Sequence, residues 1–309
     1  MNENSPDSPK GSSEDSLRDS RIAWIGVGNL ATPIVTRLIA AGIRPLLYDI
    51  RADATAPFAG KASLAASLDE AVAGADLIFS TIPSHDALHA VASAVAASGK
   101  PGALWCDMST VSPQASEDAA ALLEGKDIAY LRAPVSGSVG QAEQGVLTVI
   151  ASGPEDAYHR CLPTFEHFST QRFHVGEGEE ARYMKLLINN MVGSLAAMLA
   201  ESLAMGSKAG LDWSTMLDVV SASAIASPLL KYKAELLKKR DFTPAFTTDL
   251  MIKDMVLFEE AARALGCPTP LAGETLVLLK DYAAAGGGDE DYYGLVKLFE
   301  ERAGVCVLN

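Results

Sequence analysis

Residues 22–31 read Ile22-Ala23-Trp24-Ile25-Gly26-Val27-Gly28-Asn29-Leu30-Ala31, and residues 46–49 read Leu46-Leu47-Tyr48-Asp49. The apolar quartet predicts a strand, the glycines a tight turn, the residues after them an amphipathic helix, and the last four a second strand ending in an acid. Gly26 permits the turn. Gly28 lets the backbone approach a pyrophosphate seated on the positive end of the helix, with Asn29 and Leu30 completing that turn. Ala31 fills the third small position of G-x-G-x-x-G/A. Asp49 stands 49 − 28 = 21 residues after the second glycine, where a carboxylate accepts both ribose hydroxyls of an adenosine. A glycine turn alone also suits a cofactor-free α/β protein. Joined to the strand, helix and acid, it specifies the first βαβ unit of a dinucleotide-binding fold. Asp49 favours NAD because it repels a 2′-phosphate, and Arg51, two residues on, leaves NADP open.

Further along, strand-like runs at 75–83, 104–110, 128–136 and 146–150 alternate with helical segments. Continuous apolar strands of this kind predict a doubly wound, mostly parallel sheet covered on both faces, an α/β Rossmann architecture. The character changes near Gly176-Glu177-Gly178. From Glu179 to Lys208 apolar residues lie nearly all round a long helix, which must be buried, in part by a partner subunit. Everything after it reads helical. The expected organisation is an acidic tail at 1–20, a Rossmann domain at 21–178 and an all-α domain at 179–309, joined by the long helix. The 281–294 stretch reads as a solvated loop followed by a turn of helix.

Composition narrows the function classes. The chain has 309 residues, 49% hydrophobic and 21% charged, with a formal net charge of −14. Nucleic acid is excluded as a partner, because a phosphate-binding surface needs clustered Lys and Arg. No charge-free stretch is long enough for a membrane span, so no membrane is expected. The first 20 residues are rich in Ser, Asp and Glu, lack the basic start and apolar run of a signal peptide, and read as disordered. The four cysteines are far apart, which fits reduced thiols and a cytoplasmic location.

In open parallel sheets ligands bind beyond the carboxyl ends of the strands. Thr81-Ile82-Pro83-Ser84, Asp107-Met108-Ser109-Thr110 and Val135-Ser136-Gly137-Ser138 arrive there. The last segment fits a carboxylate-holding turn and, equally, a serine-capped strand-to-helix loop. Lys185 sits early on the long helix among apolar neighbours, with Asn189 at i+4 on the same face. Such a lysine either trades protons near neutral pH or snorkels from a buried helix. Lys253-Asp254, on a helix beginning near Thr248, reads as a surface ion pair or a second cationic contact. His85 and His89 lie four apart, but no third ligand is evident, so no metal is expected.

The order of these pieces resembles the β-hydroxyacid dehydrogenase family, whose members include 3-hydroxyisobutyrate dehydrogenase. The resemblance covers about residues 21–304. It rests on residues 26–33, on Asp107-Met108-Ser109-Thr110-Val111-Ser112-Pro113, on Ala133-Pro134-Val135-Ser136-Gly137-Ser138, on Lys185 with Asn189, and on Phe246 through Lys253-Asp254. Gly137-Ser138, where many members carry two glycines, points to the glyoxylate/succinic semialdehyde reductase branch. Arg132 stands where an Asp is common. The usual Lys-x-x-Asn-Asn appears as Lys185 with Asn189-Asn190 one position later.

The resemblance implies hydride transfer between nicotinamide and a short-chain hydroxy acid or its semialdehyde. Lys185 would be the general acid/base, and Asn189 would orient substrate or lysine. Ser109, Ser136, Gly137 and Ser138 would hold the substrate carboxylate, while Ile82, Pro83, Thr110 and Lys253 would line the cofactor. A homodimer or homotetramer is expected. An imine reductase of the same fold and a non-catalytic nucleotide-binding scaffold are the alternatives, and Lys185 counts against both.

Overall fold

The computed structural model describes residues 20–305. The acidic tail, read as disordered, falls outside those residues except for Ser20. The chain divides into two compact units, residues 1–185 and 186–309.

The first unit is built on a six-stranded sheet in which every neighbouring pair is parallel. Its strands are β1 (Ile22–Ile25), β2 (Leu46–Tyr48), β3 (Ser63–Leu64), β4 (Leu77–Ser80), β5 (Leu104–Asp107) and β6 (Ala129–Arg132), in the order β3-β2-β1-β4-β5-β6. This is the doubly wound order, with its switch point between β1 and β4. The inner strands β1, β4 and β5 read as largely apolar runs because both faces are covered, whereas both residues of the edge strand β3 are exposed. Trp24, Phe79 and Cys106 point into one core, while Ala23, Ile78 and Trp105 point into the other. Helix α1 (Ala31–Ala40) follows β1, α2 (Leu68–Val72) precedes β4, α3 (His85–Ser98) follows β4, and α4 (Pro113–Ala121) follows β5. Ser67, Ser84 and Ser112 cap the last three with side-chain oxygens.

The run 128–136 is not one strand. It breaks at Ala133-Pro134 into β6 and a short β7 (Val135–Ser136), because proline has no N–H to continue a ladder. After α5 (Val139–Gln144), the predicted strand at 146–150 appears as β8 (Leu147–Ala151), outside the parallel sheet. It pairs antiparallel with β7 and parallel with β9 (Ser169–His174), which follows α6 (Glu155–Phe165). The sequence reading missed β9, whose polar Ser-Thr-Gln-Arg-Phe-His alternation has one mostly exposed face.

The long helix α7 (Glu180–Lys208) runs from the first unit into the second. By length and composition it would pass as a membrane span. Here, however, Ala196, Leu199, Ala200 and Leu203 are buried in the core of the second unit. The second unit is otherwise α8 (Trp213–Ala222), α9 (Pro228–Lys238), α10 (Thr248–Ala264), α11 (Pro270–Tyr282) and α12 (Leu295–Ala303). The breaks fall where serine, proline and glycine interrupt the apolar pattern, with Ser227 capping α9 and Pro228 in its first turn. The 281–294 stretch is not a solvated loop. Tyr282, Gly287, Asp291, Tyr292, Tyr293 and Gly294 are buried in it, because its three tyrosines pack into the core of the second unit.

Candidate active site

At the carboxyl edge of the parallel sheet, Gly26 adopts φ +83°, and a Cβ there would stand 2.2 Å from the Thr81 carbonyl oxygen. Glycine is therefore required by the protein itself. Gly28 differs: a Cβ there would meet no protein atom, so the fold alone makes no demand for glycine. That leaves close approach by a ligand as its physical use. Helix α1 begins at Leu30, which supplies no capping oxygen, unlike the serines that begin α3 and α4. Its first N–H groups are oriented for an anion. Asn29 is exposed beside them.

Asp49 Oδ2 accepts a hydrogen bond from Val27 N at 2.8 Å, and Oδ1 accepts one from Arg51 N at 2.9 Å. The acid thus ties the second strand to the glycine turn, while each oxygen retains a lone pair for a ribose hydroxyl. The Arg51 side chain is exposed, with its Nε 3.9 Å from Asp49 Oδ1. These features fit a dinucleotide.

Beyond β4 and β5, Ile82 and Thr110 are half-buried and Pro83 is exposed. Ser109 is another matter. It is 3% exposed, donates its hydroxyl to Asp107 Oδ1 at 2.7 Å and accepts from Ile82 N at 2.9 Å. It fastens the ends of two strands together. Ser138 begins α5 with a capping box shared with Gln141. Ser136 and Ser138 are half-buried around the exposed Gly137, whose φ of +139° and closeness to Leu147 exclude a side chain.

Lys185 is half-buried in the second turn of α7. In the second unit, Asn189 is buried and donates through Nδ2 to Asp254 Oδ2 at 2.5 Å. Lys253 Nζ lies 3.0 Å from Asp254 Oδ1. The reading of Lys253-Asp254 as a surface pair is corrected for its acid. Asp254 is 2% exposed, on the core-facing side of α10 with Met251 and Met255. Among the described residues no group of three His, Cys, Asp or Glu is placed to hold a metal. His85 accepts a hydrogen bond from Ser112 N at 3.1 Å through Nε2.

The family model for the NAD binding domain of 6-phosphogluconate dehydrogenase matches residues 21–176. A second, for the NAD-binding region of NADP-dependent 3-hydroxyisobutyrate dehydrogenase, matches residues 179–299. The chain belongs to the β-hydroxyacid dehydrogenase family. A 2-(hydroxymethyl)glutarate dehydrogenase of Eubacterium barkeri is 30% identical to this family member over 292 residues, 93% of this chain and 97% of that one. The chloroplastic glyoxylate/succinic semialdehyde reductase 2 of Arabidopsis thaliana is 29% identical over 295 residues, 93% of this chain and 81% of that one. The solved structure of Mycobacterium tuberculosis 3-hydroxyisobutyrate dehydrogenase with L-serine superposes with a TM-score of 0.83 at 26% identity, over 90% of this chain and 98% of that one. This β-hydroxyacid dehydrogenase is accordingly an NAD(P)-dependent oxidoreductase acting on CH–OH donors.

Sequence reasoning missed the buried charges around these residues. Arg182, three positions before Lys185, is 1% exposed and donates to Asp107, the Ser109 carbonyl, Tyr130 and Ser116. Arg132 pairs with Glu179 at 2.5 Å. An arginine on an otherwise apolar helix face, and an acid closing the apolar Leu104-Trp105-Cys106 run, were the available signals for the first pair.

Proposed function

We propose that the chain carries out reversible hydride transfer between NAD and a short-chain β-hydroxyacid or its semialdehyde, with Lys185 as general acid/base. The observation that carries this reading is the placement of Lys185. It lies one turn beyond Arg182, which fastens α7 to the end of β5 on the edge of the sheet that also bears the glycine turn. Bound nicotinamide supplies or accepts the hydride; the chain supplies the rest. Lys185 Nζ gives a proton to the nascent alkoxide or takes one from the hydroxyl. Gly26, Gly28, Asn29, Leu30 and Asp49 hold the dinucleotide, with Ile82, Pro83, Thr110 and Lys253 beside it. Ser136, Gly137 and Ser138 receive the substrate carboxylate, and Asn189, fixed by Asp254, orients substrate or lysine. Asp49 favours NAD over NADP because its carboxylate repels a 2′-phosphate.

The same reading includes self-association as a homodimer or homotetramer. Met184, Leu187, Met191, Met198 and Met205 form an exposed stripe along α7, with Met191 65% and Met205 69% exposed. A second copy would cover such a stripe. Cys106, Cys161 and Cys267 are free thiols, which suits a cytoplasmic location.

The test is oxidation of NADH and of NADPH with glyoxylate, succinic semialdehyde, methylmalonate semialdehyde and tartronate semialdehyde. It is run alongside reduction of NAD with L-serine and 2-(hydroxymethyl)glutarate. Turnover with at least one short hydroxy acid or semialdehyde, faster with NADH, is expected. Tight NADH binding with no turnover on any of them would contradict the proposal.

A further inference from the structure

We infer that Arg182 is a positioning residue for Lys185, which it serves by locking the first turn of α7 to the carboxyl end of β5. The inference rests on the proposed role of Lys185. Arg182 reaches Asp107 Oδ2 at 2.6 Å, the Ser109 carbonyl at 2.6 Å, Tyr130 Oη at 2.9 Å and Ser116 Oγ at 3.2 Å. Burial opposes its charge, but Tyr130 and Asp107 more than offset this and hold the guanidinium protonated above its ordinary range. Asp107 is fully buried and equally committed. Its Oδ1 accepts from Ser80 at 2.5 Å and Ser109 at 2.7 Å, and its Oδ2 also accepts from Ser109 N at 3.3 Å. Ser80 in turn accepts from Trp105 Nε1 at 2.9 Å.

A second clasp runs in the opposite direction. Arg132 leaves the end of β6, stacks 4.3 Å from the Tyr130 ring centroid and donates through Nε to Glu179 at 2.8 Å, just before α7 begins. The helix start is therefore gripped twice, once by an arginine it supplies and once by an arginine it receives.

A polar cluster of this kind, buried beside an apolar core, is a poor source of stability, since well-packed apolar side chains serve as well or better. What it supplies is a unique alignment of the groups it joins. Arg182 and Lys185 are i and i+3, neighbours on one helix face. The Ser109 carbonyl that Arg182 holds directly precedes Thr110. A planar fork joining four partners fixes both the rotation of the helix and its distance from this loop, which a lysine's point charge cannot do.

The experiment compares the full-length wild type, Lys185→Ala, Arg182→Lys and the double variant Asp107→Asn/Arg182→Met. The double variant removes both charges, so no lone ion is left buried. It is expected to melt cooperatively and to bind NADH within about threefold of wild type, while kcat falls about 100-fold, the scale of a 1 Å misplacement. Amide hydrogen exchange at residues 181–186 and 108–110 is expected to speed up by about tenfold or more. Arg182→Lys, which keeps the charge but not the fork, is expected to retain the melting temperature with kcat reduced by about tenfold. Wild-type kcat and unchanged exchange in the double variant would overturn the inference. If that variant does not fold, wild-type kcat in Arg182→Lys would overturn it instead, and a lowered kcat with unchanged NADH affinity would support it. Full activity in Lys185→Ala would be a failure of the functional reading, separable from these because the exchange measurement reports alignment without turnover.

Discussion

Each unit of the chain buries a pair between a cation and an aspartate, and the two are built differently. In the first, Arg182 spreads its guanidinium over a carboxylate, a carbonyl and two hydroxyls. In the second, Lys233 is 2% exposed and places a single ammonium 2.6 Å from Asp291, inside three aromatic rings. Its Nζ lies 5.0 Å from the Tyr292 centroid, 5.3 Å from Tyr293 and 5.6 Å from Tyr232. Asp291 accepts from Ala245 N and Tyr293 N as well, so the pair staples α9 to the two loops that flank it in the fold. Burial, with a further contribution from Asp291, holds the Tyr293 hydroxyl protonated above its ordinary range. The difference teaches what each cation is suited to. A fork aligns several directional acceptors at strand ends, where geometry matters for chemistry. A point charge in a ring of quadrupoles holds loops in place with little demand on angle.

The largest effect should come from Lys233→Met, which leaves Asp291 buried without a counter-charge. A loss of about 3–5 kcal/mol is expected from denaturant unfolding, with most of it recovered in Lys233→Met/Asp291→Asn. A Lys233→Arg variant as stable as wild type would break the comparison, because the aromatic site would then not discriminate between the two cations.

Tyrosine hydroxyls sharpen it. Tyr130 bonds Arg182 and Ser116, so Tyr130→Phe should cost about 1–2 kcal/mol. The Tyr293 hydroxyl is buried with no hydrogen-bond partner among the described residues. Tyr293→Phe should therefore be neutral or slightly stabilising in the same measurement. Equal losses from the two variants would remove the distinction between an aligned network and a cage of rings.

Asp49→Ala belongs next, in a binding titration. NADH affinity should fall by about tenfold and NADPH affinity by less, because the alanine no longer repels a 2′-phosphate. Equal losses would remove Asp49 as the discriminating residue.

The smallest effect should be at the exposed control pair, Asp76 with Lys100 at 2.5 Å. The hydrogen bond from Lys100 leads the causes that hold the Asp76 carboxyl below its ordinary value of 3.8. A depressed carboxyl contributes stability above its unfolded pKa and loses it as pH falls through the folded value. Below about pH 4 the loss attributable to Asp76 should not exceed about 0.5 kcal/mol, and salt should reduce it further. Chemical unfolding of wild type and Asp76→Asn from pH 6 to pH 3 measures it.

Legibility followed the same division. The glycine turn, Asp49, the strands β1, β2, β4, β5 and β6 and the bounds of α7 are local in sequence, and apolar period and turn chemistry were enough to read them. The exposed two-residue β3 at the sheet edge has no apolar run and was not read. The parts that were misread or not read at all depend on distant partners. Asp254 is 65 residues from Asn189, Asp107 is 75 from Arg182, and Lys233 is 58 from Asp291. No window of sequence shows that such acids are buried. Ser109 was legible as a strand-end hydroxyl, but its commitment to Asp107 and Ile82 depends on how β4 and β5 pair. Residues 281–294 misled because their glycines and acids mark a loop, while the tyrosines among them belong to the core.

The central claim is tested most directly by steady-state and binding measurements on Lys185→Ala with NADH and the best semialdehyde substrate. The account predicts that kcat falls by about 1,000-fold or more while NADH affinity stays within about threefold of wild type. Turnover near the wild-type rate in a folded Lys185→Ala protein would contradict it.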